Sequence, residues 1–378
     1  MRFVVDRNTP FIEDAFSTLG EVVAVDTSEF IPERIRNADA LIVRSEVKVG
    51  ERLLGGSKVR FVGSTTIGTD HLDLPWLASR GIRVASAPGS NANSVREYIL
   101  AALLVLADRM DFRLHEQTIG IVGVGNVGSL VRKTAQTLGM KVILNDPPLA
   151  RATGDPVYRS LEEALTSDIV TLHVPLTKGG DDPTYHLIGG PQLEAMAGES
   201  ILLNTSRGAV VDNQALKHVL GRGRLRAAVL DVWEGEPLID GGLLNRTALG
   251  TPHIAGYSLD GKTNAVRTVY RAACAFLNAE PTWDVRPEKL PPPPVSTLGL
   301  GEKSVGEREL GMLVRQCYDI LSDDRALRAL SNVREEERGA LFQRLRTGYR
   351  IRREFSATRI TGASPDAAAF LQALGFTI

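Results

Sequence analysis

Residues 118–146 read TIGIVGVGNVGSLVRKTAQTLGMKVILND. A short apolar strand, residues 118–122, runs directly into glycines at 123, 125 and 128. Residues 127–138 then carry helical periodicity, and residues 141–145 form the next strand. Strand, glycine turn, helix and strand in this order make a dinucleotide-binding unit. Gly123 suits a tight turn, Gly125 lets a pyrophosphate approach the backbone, and Gly128 lets the helix pack close to the strand. The loop amides, with Asn126 and Val127 at the start of the helix, face the phosphates. Asp146 closes the second strand. An acid there can hydrogen-bond ribose hydroxyls and repels a 2′-phosphate, so NAD is the expected cofactor rather than NADP.

Upstream, residues 3–6, 22–25, 40–43 and 59–62 are short apolar runs between polar turns, with a helix expected at 10–19. They predict a small α/β unit with a parallel sheet. Residues 93–109 form a long helical pattern. Downstream, residues 168–174, 200–204 and 226–232 are three further strand candidates. A doubly wound domain of six strands is expected over residues 93–256. Residues 258–277 read as a long helix that returns to the first unit. Residues 281–294 contain PEKLPPPP, a stiff linker. Beyond it, helical runs at 307–321 and 365–374 and a strand near 349–355 are expected. The fold class is therefore α/β: a Rossmann-type domain (93–256), a split outer domain (1–92 with 257–285) and a small α+β C-terminal domain (286–378).

The chain has 378 residues, 43% of them hydrophobic, and a formal net charge of -1. That is enough for two or three cored domains and argues against general nucleic-acid or membrane-surface binding. Cys274 and Cys317 have no metal-site spacing, so no metal is expected. The N-terminal residues lack a signal-peptide layout, and the apolar run at 98–107 is too short to span a bilayer. A cytoplasmic enzyme is the expectation.

Three later segments carry chemistry: NTSRG at 204–208, DVWEGEP at 231–237 and TPHIAG at 251–256. Oxidation of a 2-hydroxy acid needs a carboxylate clamp, a proton acceptor and a hydride acceptor. Arg207, following an apolar strand, suits the carboxylate. His253 suits the hydroxyl proton, and Glu236 can hydrogen-bond its second ring nitrogen. In the outer unit Arg44, Ser45 and Thr66 lie at strand ends, where they suit phosphate or sugar hydroxyls or serve only as loop caps. Tyr257 follows the histidine loop. Residues 74–76 read as packing.

These segments, with LHVP at 172–175, resemble the D-isomer-specific 2-hydroxyacid dehydrogenase family over most of residues 1–277. The resemblance implies a flavodoxin-like split outer domain and a central NAD domain. It assigns catalysis to Arg207, Glu236 and His253. It implies cofactor contacts at Asp146, His173, Val174, Pro175, Thr205, Ser206, Arg207, Asp231 and Gly256. Softer motifs at 63–73, 145–148, 232–237 and 251–258 resemble a branch acting on a phosphorylated small hydroxy acid. That branch implies substrate contacts at Ser45, Thr66 and Tyr257 and a homodimer formed through the C-terminal domain. Two other readings stand beside it. One is a relative using the same trio on 3-phosphoglycerate. The other is an NAD-sensing, corepressor-like protein with a protein partner.

Residues 341–360 are arginine-rich: Arg344, Arg346, Arg350, Arg352, Arg353 and Arg359. The plain expectation is a solvated face. An intersubunit surface or a phosphate-contacting arginine is the more specific one, without a choice among Arg344, Arg346 and Arg350.

Overall fold

In a computed structural model the described residues are 1–286, 289–301 and 305–378. Pro287 and Glu288 of the proline linker, and residues 302–304, lie outside them. The chain forms two compact units: residues 1–91 with 257–291, and residues 92–256 with 292–378.

The first unit holds a five-stranded parallel sheet, β1 Arg2–Asp6, β2 Glu21–Val25, β3 Ala40–Val43, β4 Phe61–Ser64 and β5 Arg83–Ala85, in the order 2-1-3-4-5. This is the flavodoxin-like order. The strands are continuous apolar runs because both faces are covered. One face packs on the helix Leu259–Leu277 through Val266, Val269, Tyr270 and Ala273. That helix comes so close that a Cβ on Gly63 would lie 2.3 Å from Val269 Cγ1. Residues 74–76 straddle the surface: Leu74 is exposed, while Trp76 packs on the other core of this unit.

The second unit holds six parallel strands, β6 Thr118–Val122, β7 Lys141–Asn145, β8 Ile169–Leu172, β9 Ile201–Asn204, β10 Ala227–Leu230 and β11 Leu249–Gly250, in the order 11-10-9-8-6-7. This doubly wound, Rossmann-like domain agrees with the expected fold class. The sixth strand, only two residues long, is the one the sequence did not locate.

The C-terminal segment does not stand apart as a third compact unit. Leu327, Leu330 and Phe342 enter the same core as Val122, Leu172 and Leu230. Asp324 Oδ1 accepts from the Gly250 amide at 2.8 Å, and Arg328 donates to the Leu244 and Thr247 carbonyls, each at 2.9 Å. These contacts cover the exposed edge of the sheet.

The strand expected near 349–355 is absent. Its alternation is inverted: Ile351 is 56% exposed, whereas Arg352 is 3% exposed. The buried guanidinium donates to the Ser94 and Ala255 carbonyls and lies over the Tyr318 ring. Arg353 and Glu354 are buried as well. The arginine run is thus partly internal rather than a solvated face. The small C-terminal sheet instead pairs β12 Thr297–Gly299 with β13 Arg359–Thr361. The helical run at 307–321 is two helices, Glu307–Cys317 and Ile320–Arg328. Among the described residues, no helix is long and apolar enough to cross a membrane.

Candidate active site

Strand register builds the site. Val122 pairs with Asn145 and with Leu172, Leu172 with Asn204, Asn204 with Leu230, and Leu230 with Gly250. The residues that follow, Asp146, Gly123, His173, Thr205, Asp231 and Thr251, therefore emerge in a row from one edge. It is the carboxyl edge, where open parallel sheets bind ligands. Sequence-distant motifs meet there because neighbouring strands lie only ~4.8 Å apart.

The three glycines differ in their surroundings. Gly123 has φ +86°, and a Cβ there would lie 2.8 Å from the His173 carbonyl carbon and Val174 Cγ1. A Cβ on Gly128 would lie 2.0 Å from Gly123 O, whereas around Gly125 there is open space. The helix Asn126–Thr137 begins directly after it. Tight packing on two sides and room on the third fit a dinucleotide pyrophosphate at the helix N-terminus. Asp146 Oδ2 accepts from the Val124 amide at 2.8 Å, and its Oδ1 caps the helix Pro147–Thr153 through the Leu149 amide at 3.0 Å. The ribose candidate is thus also a structural acid tying the loop to the next strand.

His173 contacts the Thr171 hydroxyl through Nε2 at 3.0 Å and the Thr205 hydroxyl through Nδ1 at 3.4 Å. Desolvation pushes its pKa down to about 3, so the ring is neutral. Pro175 follows on the same rim, and its carbonyl accepts from the Thr184 hydroxyl at 2.5 Å. Ser206 donates from its amide and hydroxyl to Asn204 Oδ1, and Asn204 Nδ2 donates to the Arg207 carbonyl. The turn is pressed onto the next loop: a Cβ on Gly208 would fall 2.0 Å from the Trp233 carbonyl. This brings Arg207 beside the DVWEGEP segment.

His253 Nδ1 lies 2.8 Å from Glu236 Oε2. Glu236 Oε1 accepts from the Trp233 amide at 2.8 Å, so the carboxylate is held at both oxygens. Burial raises the Glu236 pKa. The His253 charge and hydrogen bond, the Trp233 amide and the Arg346 guanidinium outweigh it, leaving the carboxyl below its ordinary value. Glu236 is therefore an anionic acceptor, Nδ1 donates, and Nε2 is the nitrogen left for proton exchange. His253 itself sits at φ +59°, a left-handed conformation uncommon for a residue with a Cβ.

Asp231 has a task the sequence did not reveal. It is 2% exposed and holds the histidine loop by accepting from the Thr251 hydroxyl and from the Ile254 and Ala255 amides. Its own carbonyl accepts from the His253 amide at 2.7 Å. Burial raises its pKa, against the lowering effects of His253 and these donors. The donors lie some twenty positions downstream, beyond any local motif. Gly256 ends this loop and this unit.

Arg346 is the C-terminal arginine whose charge reaches Glu236. Its helix, Glu335–Thr347, packs on the same loop, since a Cβ on Gly339 would meet Leu238 at 3.0 Å. Arg350 pairs with Asp323, and Arg344 is exposed.

The first unit carries the substrate candidates. Val43 pairs with Ser64, so the Arg44–Ser45 and Thr65–Thr66 turns leave adjacent strand ends. Arg44 donates to Asp6 Oδ2 at 3.1 Å, and Thr66 Oγ1 lies 2.8 Å from Ser64 Oγ. Ser45 is exposed and Tyr257 half-buried. Lys262, overlooked in the sequence, has its Nζ 4.7 Å from the Tyr257 ring centroid.

A family model described as "D-isomer specific 2-hydroxyacid dehydrogenase, NAD binding domain" matches residues 103–255, and one described as a domain of unknown function (DUF3410) matches residues 289–375. An erythronate-4-phosphate dehydrogenase of Proteus mirabilis (strain HI4320) is 41% identical over 377 residues, covering 100% of this chain and 99% of the relative. One of Edwardsiella ictaluri (strain 93-146) is 43% identical with the same coverage. Among solved structures, D-lactate dehydrogenase of Aquifex aeolicus, complexed with NAD and lactic acid, superposes with a TM-score of 0.61. It is 26% identical and covers 74% of this chain and 96% of its own. The fold, the carboxyl-edge site and these full-length relatives together show that the chain belongs to the D-isomer-specific 2-hydroxyacid dehydrogenase family of oxidoreductases.

Proposed function

We propose that the protein oxidises 4-phospho-D-erythronate with NAD to (R)-3-hydroxy-2-oxo-4-phosphooxybutanoate, a step towards pyridoxal 5′-phosphate. The observation that carries this reading is the end-to-end similarity to erythronate-4-phosphate dehydrogenases, C-terminal segment included. The basic residues Arg44 and Lys262 in the first unit support an anionic substrate.

The dinucleotide fits at Gly123, Gly125, Asn126, Val127 and Gly128, with Asp146 at the ribose. Val174, Pro175, Thr205, Ser206, Asp231 and Gly256 line the same rim. A bound dinucleotide would supply the hydride acceptor for C2. Arg207 pairs with the substrate carboxylate, orienting C2. His253 Nε2 accepts the hydroxyl proton, and Glu236 stabilises the resulting imidazolium through Nδ1. Ser45, Thr66, Tyr257 and Arg44 bind the hydroxyls and phosphate. A homodimer is proposed as well, supported by the exposed Met312 and Ile351 in the C-terminal segment. A cytoplasmic location accords with this chemistry.

The test is NADH formation by purified protein on 4-phospho-D-erythronate and on 3-phosphoglycerate at matched concentrations. A large kcat/KM preference for the four-carbon acid is expected. Preference for the three-carbon acid would keep the chemistry and overturn the substrate. NAD binding without turnover of either would favour the corepressor-like alternative.

A further inference from the structure

The first unit contains a basic residue that the four substrate candidates do not include. Lys262 lies seven residues before Val269, the residue that touches Gly63 of β4. At ~1.5 Å per residue that is roughly 10 Å along the helix, on the stripe it shares with Val266 and Val269. The helix therefore carries Lys262 past the ends of the strands, to the edge from which Arg44 and Thr66 emerge.

The ammonium lies over the Tyr257 ring, and the residue is half-buried. Among the described residues no carboxylate is within ion-pair distance of it. Arg44, by contrast, is engaged by Asp6, Thr27 and Glu46. Burial, and secondly the Arg44 charge, lower the Lys262 pKa, and Glu46 offsets this only in part. A partly desolvated ammonium next to a second cation is unfavourable in the protein alone. An anion placed between the two would relieve both the desolvation and the repulsion. The Tyr257 ring adds a favourable face without neutralising the charge.

We propose that Lys262 is a substrate-binding residue whose ammonium holds the phosphate of the phosphorylated hydroxy acid, alongside Arg44. This rests on the substrate reading above and deepens it. Lys262 discriminates phosphorylated from unphosphorylated acids and takes no part in the proton or hydride step.

The test compares wild type, Lys262→Gln and Lys262→Arg at saturating NAD. The probes are 4-phospho-D-erythronate and D-erythronate, the latter read as a competitive inhibitor if its turnover is too slow. Lys262→Gln should raise KM for the phosphorylated acid roughly 10–100-fold, the range for a hydrogen bond to a charged group. Its kcat should stay within a few-fold, and binding of D-erythronate and NAD should be unchanged. Lys262→Arg should recover part of the loss. An unchanged KM for the phosphorylated acid would overturn the assignment, and so would an equal loss for both acids, which marks a structural role. A wild-type enzyme that does not prefer the phosphorylated acid would instead overturn the substrate reading, an outcome read without any variant.

Discussion

His253 Nδ1 and Glu236 Oε2 are 2.8 Å apart, and the second Glu236 oxygen is held by the Trp233 amide. The imidazole is thereby fixed with Nε2 directed to chemistry. Glu236→Gln can keep the Trp233 amide on its one oxygen, but its NH2 then faces His253 Nδ1, which removes the anion that stabilises the imidazolium and favours the tautomer with Nε2 already protonated. A fall in kcat of roughly 10–100-fold is expected, smaller than the general range of ~10²–10⁴ for loss of the acid–base group itself. The Glu236 pKa is depressed in the folded state. Its stabilising contribution is therefore present above the ordinary carboxyl value and is lost as pH falls through the lower folded value. Melting curves of wild type and Glu236→Gln should converge as pH drops below about 4. A constant gap from pH 7 to pH 3 would contradict the ionised pair.

Gly125 and Gly128 make opposite predictions from the same loop. Gly128→Ala places a methyl against the Gly123 carbonyl, where backbone must move. A loss of about 1–3 kcal/mol or more is expected in chemical denaturation. Gly125→Ala meets open space at φ −72° and should leave stability nearly unchanged. Its methyl stands where the pyrophosphate approaches, so NADH affinity by fluorescence titration should drop. Equal effects of the two variants on stability would refute this division.

Asp146 combines a helix cap with a ribose site, and two substitutions separate them. Asp146→Ala should cost about 1 kcal/mol through the cap and should also relax NAD preference over NADP. Asp146→Asn keeps one acceptor oxygen for the Leu149 cap but turns its NH2 towards the Val124 amide, so it should lose less stability than Asp146→Ala while losing cofactor discrimination to the same degree. Unchanged NAD/NADP preference in both variants would remove Asp146 from the ribose site.

Glu97 predicts a second pH dependence, of opposite sign. Burial, aided by Glu354, raises its pKa to about 8 despite Arg352 and Arg96. The folded state then binds a proton more tightly than the unfolded chain. Stability from this group is complete below the ordinary carboxyl value and is lost as pH rises towards about 8. The melting temperature should fall as pH rises from the ordinary carboxyl value to about 8 and level off above it, and Glu97→Gln should flatten that slope. An identical slope in the variant would exclude Glu97 as its source.

The glycine loop was legible because each glycine acts on neighbours a few positions away. The doubly wound fold followed because buried parallel strands are uninterrupted apolar runs. Arg207, Glu236 and His253 could be singled out by residue type and by following strands, but the His253–Glu236 bond and the approach of the Arg207 turn to Trp233 depend on register and loop packing. What stayed hidden was tertiary. The role of Asp231 comes from amides at 254 and 255. Lys262 reads as an ordinary helix-surface lysine until the helix is docked. Residues 349–355 alternate like a strand, yet the charged positions turn inward because Ser94, Ala255, Glu97 and Tyr318 receive them. No local pattern encodes a buried ion network.

The most direct measurement is the initial rate of NADH formation from 4-phospho-D-erythronate by wild type and His253→Ala, with NADH affinity measured in parallel. The mechanism requires wild-type turnover, a kcat lower by ~10²–10⁴-fold in the variant, and unchanged NADH binding. Wild-type turnover matched by His253→Ala would contradict the assignment of the proton step to this histidine.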